Sequence, residues 1–196
     1  MKLVKLSFMV SILLASALAL ASNLTYSEQA TVSGTLGGVP FTNEHMIIWL
    51  SGFNPNDVID DGNGWYIAYP SPEHPMTFTI GGSPYYYFTD PTRFDVDQIG
   101  QWGGVHDSNP EGGIMVTLSD AFATYDLKSP FWVSGPSQSN MELTFGTTGG
   151  DLIITNMGDS TFGATWDSPV PEPSSLMLFG SGIIGLAGIL RRKINL

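Results

Sequence analysis

Oxygen-bearing side chains crowd the stretch NPNDVIDDGNGW, Asn54 to Trp65, where Asn56, Asp57, Asp60, Asp61 and Asn63 are bent together by Gly62 and Gly64. Hard oxygen donors on a loop are what Ca²⁺ takes, so Asp57, Asp60, Asp61 and Asn63 are the metal candidates of this sequence. The spacing departs from the EF-hand rule. Counted from Asp57, the third position is Ile59 and the twelfth Ala68, so the bidentate carboxylate is missing. A tight surface turn draws on the same Asp, Asn and Gly. Both readings stand, and no other cofactor is expected.

Imidazoles are the second source of chemistry. The histidines are His45, His74 and His106, and Glu73-His74 and His106-Asp107 each set one beside a carboxylate that can orient a base or a metal ligand. Neither pair lies in an H-E-x-x-H spacing, and no G-x-S-x-G nucleophile elbow occurs. Pairs of carboxylates suited to glycoside hydrolysis are many, but spacing selects none of them. The expectation is histidines in polar surface loops, no catalytic residue, and a protein that is not an enzyme.

Aromatic rings are the third. Tyr85-Tyr86-Tyr87-Phe88 forms one run, and Trp65-Tyr66 with Tyr69 another. Strand neighbours point to opposite faces, so each run sends a ring away from a one-faced core. Trp65, Tyr66, Tyr85, Tyr86 and Tyr87 are therefore a candidate platform for stacking on sugars. Packing within a sandwich covered on both faces is the alternative.

The elements that must carry these residues are strands. Met76, Phe78 and Ile80 alternate with Thr77 and Thr79; Ile114, Val116 and Leu118 with Thr117 and Ser119; Met141, Leu143 and Phe145 with Glu142 and Thr144. Further strands are expected at 30–36, 45–53, 64–69, 85–89, 122–127, 151–156 and 161–166, with long loops at 98–108 and 128–140. Thr147-Thr148-Gly149-Gly150 reads as a hairpin turn. No segment holds a helical stripe. The fold class is all-β, an antiparallel β-sandwich for which the jelly roll is one arrangement.

The domain so built is acidic. Between Ser22 and Ser168 only Arg93 and Lys128 stand against 17 acidic residues. Phosphate backbones are bound mainly by Lys and Arg, so no nucleic-acid partner is expected. Cysteine is absent, which excludes disulfides and thiolate chemistry. A domain of about 145 residues can rest on its core alone.

The two ends differ from the domain. Residues 1–21, MKLVKLSFMVSILLASALALA, have the parts of a secretory signal: Lys2 and Lys5, an apolar run from about Leu6 to Leu20, and small Ala19 and Ala21 before the cleavage point. Signal peptidase and the general secretory translocon are the implied partners. Domain residues 22–168 follow.

Residues 169–196 begin PVPEPSSLMLFGSGIIGLAGILRRK. Pro171 and Pro173 prevent an earlier helix start, and Ser174 or Ser175 can cap the first turn. A helix over about 174–190, 17 residues, would be roughly 25 Å long, just under a hydrocarbon layer of roughly 30 Å. It spans if Arg191, Arg192 and Lys193 snorkel to the headgroups. That basic stop stays in the cytoplasm and leaves the domain outside.

Pro171-Glu172-Pro173, a glycine-interrupted apolar helix and the terminal Arg191-Arg192-Lys193 together resemble the PEP-CTERM sorting signal of Gram-negative bacteria. The resemblance implies an exosortase that cuts near the Pro-Glu-Pro. The domain would then pass from the periplasmic side of the inner membrane to the envelope or extracellular matrix. It also implies producers of exopolysaccharide. Three roles follow for the domain: structural or interaction protein first, carbohydrate-binding module second, secreted hydrolase third.

Overall fold

A computed structural model describes residues 23–82, 84–107, 112–139 and 143–167. The expected signal sequence with Ala19 and Ala21, the Pro171–Pro173 motif, the helix at about 174–190 and the basic stop lie outside the described residues. Among the described residues no helix is long and apolar enough to cross a membrane.

In chain order the strands are β1 (Leu24–Leu36), β2 (Val39–Phe53), β3 (Ile59–Asp60), β4 (Trp65–Ala68), β5 (Thr77–Ile80), β6 (Tyr86–Tyr87), β7 (Thr92–Asp97), β8 (Trp102–Asp107), β9 (Gly113–Leu118), β10 (Phe131–Gly135), β11 (Ser137–Gln138), β12 (Thr144–Phe145) and β13 (Leu152–Trp166). They form two antiparallel sheets. The first runs β10-β13-β1-β2-β5-β6, with β12 also on β13; the second runs β11-β9-β8-β7-β4-β3. The expected antiparallel sandwich is what the chain forms.

Its frame is the long β1–β2 hairpin, closed by Gly37 and Gly38 at φ 56° and 79°. Two consecutive positive φ values make the turn whose twist matches the flanking strands, and glycine adopts them without strain. Along β1, Leu24, Tyr26, Glu28, Ala30 and Val32 are buried while Thr25, Ser27 and Gln29 are only half-buried. The core adds Met46, Ile48 and Leu50 from β2, Phe78, Phe94, Phe122, Phe162 and Leu152.

Several expectations are corrected. Of the loop expected at 98–108, residues 98–101 are a turn, but Trp102–Asp107 form the strand β8; Gly103 and Gly104 dilute its apolar signal. Residues 128–140 hold β10 and β11, where Pro130, Gly135 and Pro136 obscure the alternation of Phe131 and Val133 with Trp132 and Ser134. The strand expected at 122–127 is instead a 3₁₀ turn, Asp120–Thr124, because the Ser119 hydroxyl accepts from the Ala121 N–H and caps it. The strands expected at 151–156 and 161–166 are one, β13; a register shift against Ala30 and Val32 absorbs Gly158 and Asp159. β7 is not legible in the sequence, since Arg93, Asp95 and Asp97 alternate through it as a loop would.

The alternation in β9 also points the other way from its sequence pattern. Thr117, not Val116, reaches across to Glu28 and Ser160 of the first sheet. With Ile114, Met115, Val116 and Thr117 all buried, β9 is covered on both faces, so periodicity does not decide its orientation.

Candidate functional site

The acidic loop folds as a set of self-capped turns. Asp60 Oδ1 accepts from the Gly62 N–H at 2.8 Å, and Asp61 Oδ1 accepts from the N–H groups of Asn63 at 2.8 Å and Trp65 at 3.1 Å. The Asn63 N–H is the main reason that the Asp61 carboxyl lies below its ordinary range. Asp57 closes a separate 3₁₀ turn, Pro55–Asp57, capped by Asn54. It lines a cleft of about 310 Å³ with Asn23, Phe53, Tyr69, Ser71 and His74. Asp60, Asp61 and Asn63 do not line that cleft. Among the described residues no three His, Cys, Asp or Glu side chains gather as metal ligands.

His106 lies on β8 rather than in a polar loop, and its partner is Asp95, not the adjacent Asp107. Cross-strand pairing explains this: His106 stands opposite Arg93 on β7, so it shares a face with Arg93 and Asp95, while Asp107 points to the other side. Asp95 is fully buried. Its Oδ2 is 2.7 Å from Arg93 Nε and its Oδ1 is 2.5 Å from His106 Nδ1. Trp102 lies against the imidazole at 4.8 Å between ring centroids, Trp65 meets Trp102 edge-on, and the Arg93 guanidinium sits 5.9 Å over the Trp65 ring. Arg93 donates to Asp95 here beneath two tryptophans, whereas Asp95 Oδ1 and His106 Nδ1 lie close together but, like Trp65 Nε1, are buried without a hydrogen bond among the described residues. His45 is exposed, and His74 stacks its ring over Gly52 in the cleft.

The candidate platform divides. Trp65 belongs to the Arg93 cluster on the second sheet, and its neighbour Tyr66 packs on the core from the opposite face of β4. Tyr86 also packs inward, 5.4 Å from Phe78. Only Tyr85 and Tyr87 remain exposed, at the β6 edge of the first sheet.

Two tryptophans outside the candidate set join them. Pairing registers align Trp132 (β10), Gly163 (β13), Ser27 (β1), Trp49 (β2), Thr77 (β5) and Tyr87 (β6) in one cross-strand row on the outer face. The next row is Ser134, Thr161, Gln29, Ile47 and Thr79. Trp132 is 60% exposed and leans over Gly163, where an added Cβ would lie 2.4 Å from its ring. Trp49 meets Tyr85 edge-on at 5.6 Å. The available signal was local: Trp49 between buried Ile48 and Leu50, and Trp132 between Phe131 and Val133, are the outward members of alternating runs.

The ends of the domain meet. Leu24 pairs with Trp166, the Asp167 N–H donates to the Asn23 carbonyl at 2.8 Å, and the Asp167 carboxylate accepts from Thr25 Oγ1 and the Gly52 N–H.

Residues 169–193 match the family model of the PEP-CTERM protein-sorting motif. No curated protein and no solved structure matches the chain. The motif implies an exported protein made as a membrane-anchored precursor, with an exosortase as its processing partner.

Proposed function

We propose that this chain is a cell-envelope or extracellular-matrix protein whose β-sandwich has a structural or interaction role. The N-terminal segment directs it to the secretory translocon and signal peptidase. The C-terminal segment holds it in the inner membrane with the domain on the periplasmic side. Exosortase cleavage near Pro171-Glu172-Pro173 then frees it. The observation that carries this reading is the sorting motif at 169–193, which starts just past the point where Asp167 closes the last strand onto Asn23. Proline lacks an N–H and disfavours a helix at the residue before it, so a Pro-Glu-Pro sequence suits a segment that a protease must bind extended.

The test is expression with and without a matching exosortase, read by intact mass and membrane fractionation. The expected result is a shortened C-terminus and loss from the membrane fraction only when the enzyme is present, with Pro171→Ala or Glu172→Ala blocking both. An unchanged full-length C-terminus in both strains would overturn the reading.

A further inference from the structure

We propose that the outer face of the first sheet binds an uncharged polysaccharide, laid across the strands over Trp132, Trp49, Tyr85 and Tyr87. The chemistry is that of a sugar surface. Pyranose rings present C–H faces that stack on aromatic rings, with hydroxyls at their edges that need donors and acceptors. Trp132, Trp49 and Tyr87 supply the rings of one row, and Ser27, Thr77, Gln29 and Ser134 supply hydroxyls and an amide between and beside them.

Register fixes the span. Trp132, Trp49 and Tyr87 occupy the first, fourth and sixth strands of the row, so neighbouring rings stand about 14 Å and about 10 Å apart at the inter-strand spacing. That length suits an extended chain of several sugars rather than a single one. Charge narrows the ligand. In a protein of net charge −11, the two central rows of this face carry no Asp, Glu, Lys, Arg or His. An anionic glycan would meet the acidic surroundings without a compensating cation, and a neutral one meets no penalty. Trp132 is already presented: Gly163 leaves the space in which its ring leans over the sheet with 60% of the residue in solvent.

This inference concerns the domain that the sorting reading places outside the membrane, but binding does not depend on processing, so the two fail separately. The test uses the full chain purified in detergent, with pull-down on cellulose and curdlan, tryptophan-fluorescence titration with cellohexaose and laminarihexaose, and alginate as the charged control. The expected result is retention on a neutral glucan and not on alginate, weakened at least about tenfold by Trp132→Ala and by Trp49→Ala. Gly163→Ala, which displaces the Trp132 ring without removing it, should weaken binding in the same direction. Melting temperatures of all the variants identify any loss that reflects unfolding, and Tyr87→Ala, which sits at the exposed edge and should stay folded, must weaken binding in the same direction. Failure of both glucans, or equal retention of the Trp132→Ala/Trp49→Ala double variant, would overturn the proposal. So would a dimer in sedimentation that Trp132→Ala dissolves without any glucan retention, because the face would then belong to a second copy.

Discussion

Thr117 on β9 donates a hydrogen bond to Glu28 on β1, 2.5 Å across the gap between the sheets, and neither residue reaches solvent. Ser160 lies 2.7 Å from the same hydroxyl, but Glu28 Oε2 has no hydrogen-bonding partner among the described residues. Burial pushes the Glu28 carboxyl well above the ordinary value of 4.5, against the opposing pull of the Thr117 and Ser160 hydroxyls. The folded protein therefore keeps a proton that the unfolded chain releases.

That sign sets a pH dependence. Stability contributed by neutral Glu28 is fully present below about 4.5 and is lost as pH rises toward the raised folded value. The loss has a limiting slope of about 1.4 kcal/mol per pH unit. Urea unfolding of the wild-type protein should fall in midpoint from pH 5 to pH 8, and Glu28→Gln should flatten the profile and be the more stable of the two at pH 8. Parallel pH profiles would show that Glu28 does not hold the proton.

Asp95 is the buried anchor of Arg93 and His106. Asp95→Asn keeps the shape and removes the charge, leaving a guanidinium inside without its counter-ion, and breaking such a pair costs about 3–5 kcal/mol. The check is denaturant unfolding. A loss below about 1 kcal/mol would mean that water reaches Arg93 and replaces the carboxylate.

The Tyr26 hydroxyl donates to the Leu127 carbonyl at 2.5 Å in the core. Tyr26→Phe should lower stability by about 1–3 kcal/mol, because the carbonyl is left buried without its donor. Near-zero change would show that another donor takes the place of Tyr26.

The carboxylates of Asp60 and Asp61 bind the N–H groups of their own turns. Calcium should therefore leave the melting temperature unchanged. A calcium-dependent rise that disappears in Asp61→Asn would establish a metal site here.

Legibility followed how local each feature is. Phe78 and Met76 lie buried on either side of Thr77, as their spacing predicts. β7 was hidden because Arg93 and Asp95 carry a loop's signature, and only their mutual pairing under Trp65 and Trp102 makes them strand residues. The sequence pattern points Thr117 outward because a hydroxyl ordinarily faces water, and Glu28 across the gap reverses that preference. The aromatic row was invisible for a different reason. Trp132, Trp49 and Tyr87 are far apart in sequence, and only the registers of five strand pairs bring them into line.

The pairing of Leu24 with Trp166 also decides how the domain bears load. β13 is flanked by β1 and β10. A chain gripped at both termini would open this seam one rung at a time, since both ends leave from the same place. A chain gripped by its tail alone, with the sheet face held elsewhere, pulls lengthwise on β13 and strains the rungs of both ladders together. Freeing the N-terminus thus converts a zipper into a shear joint.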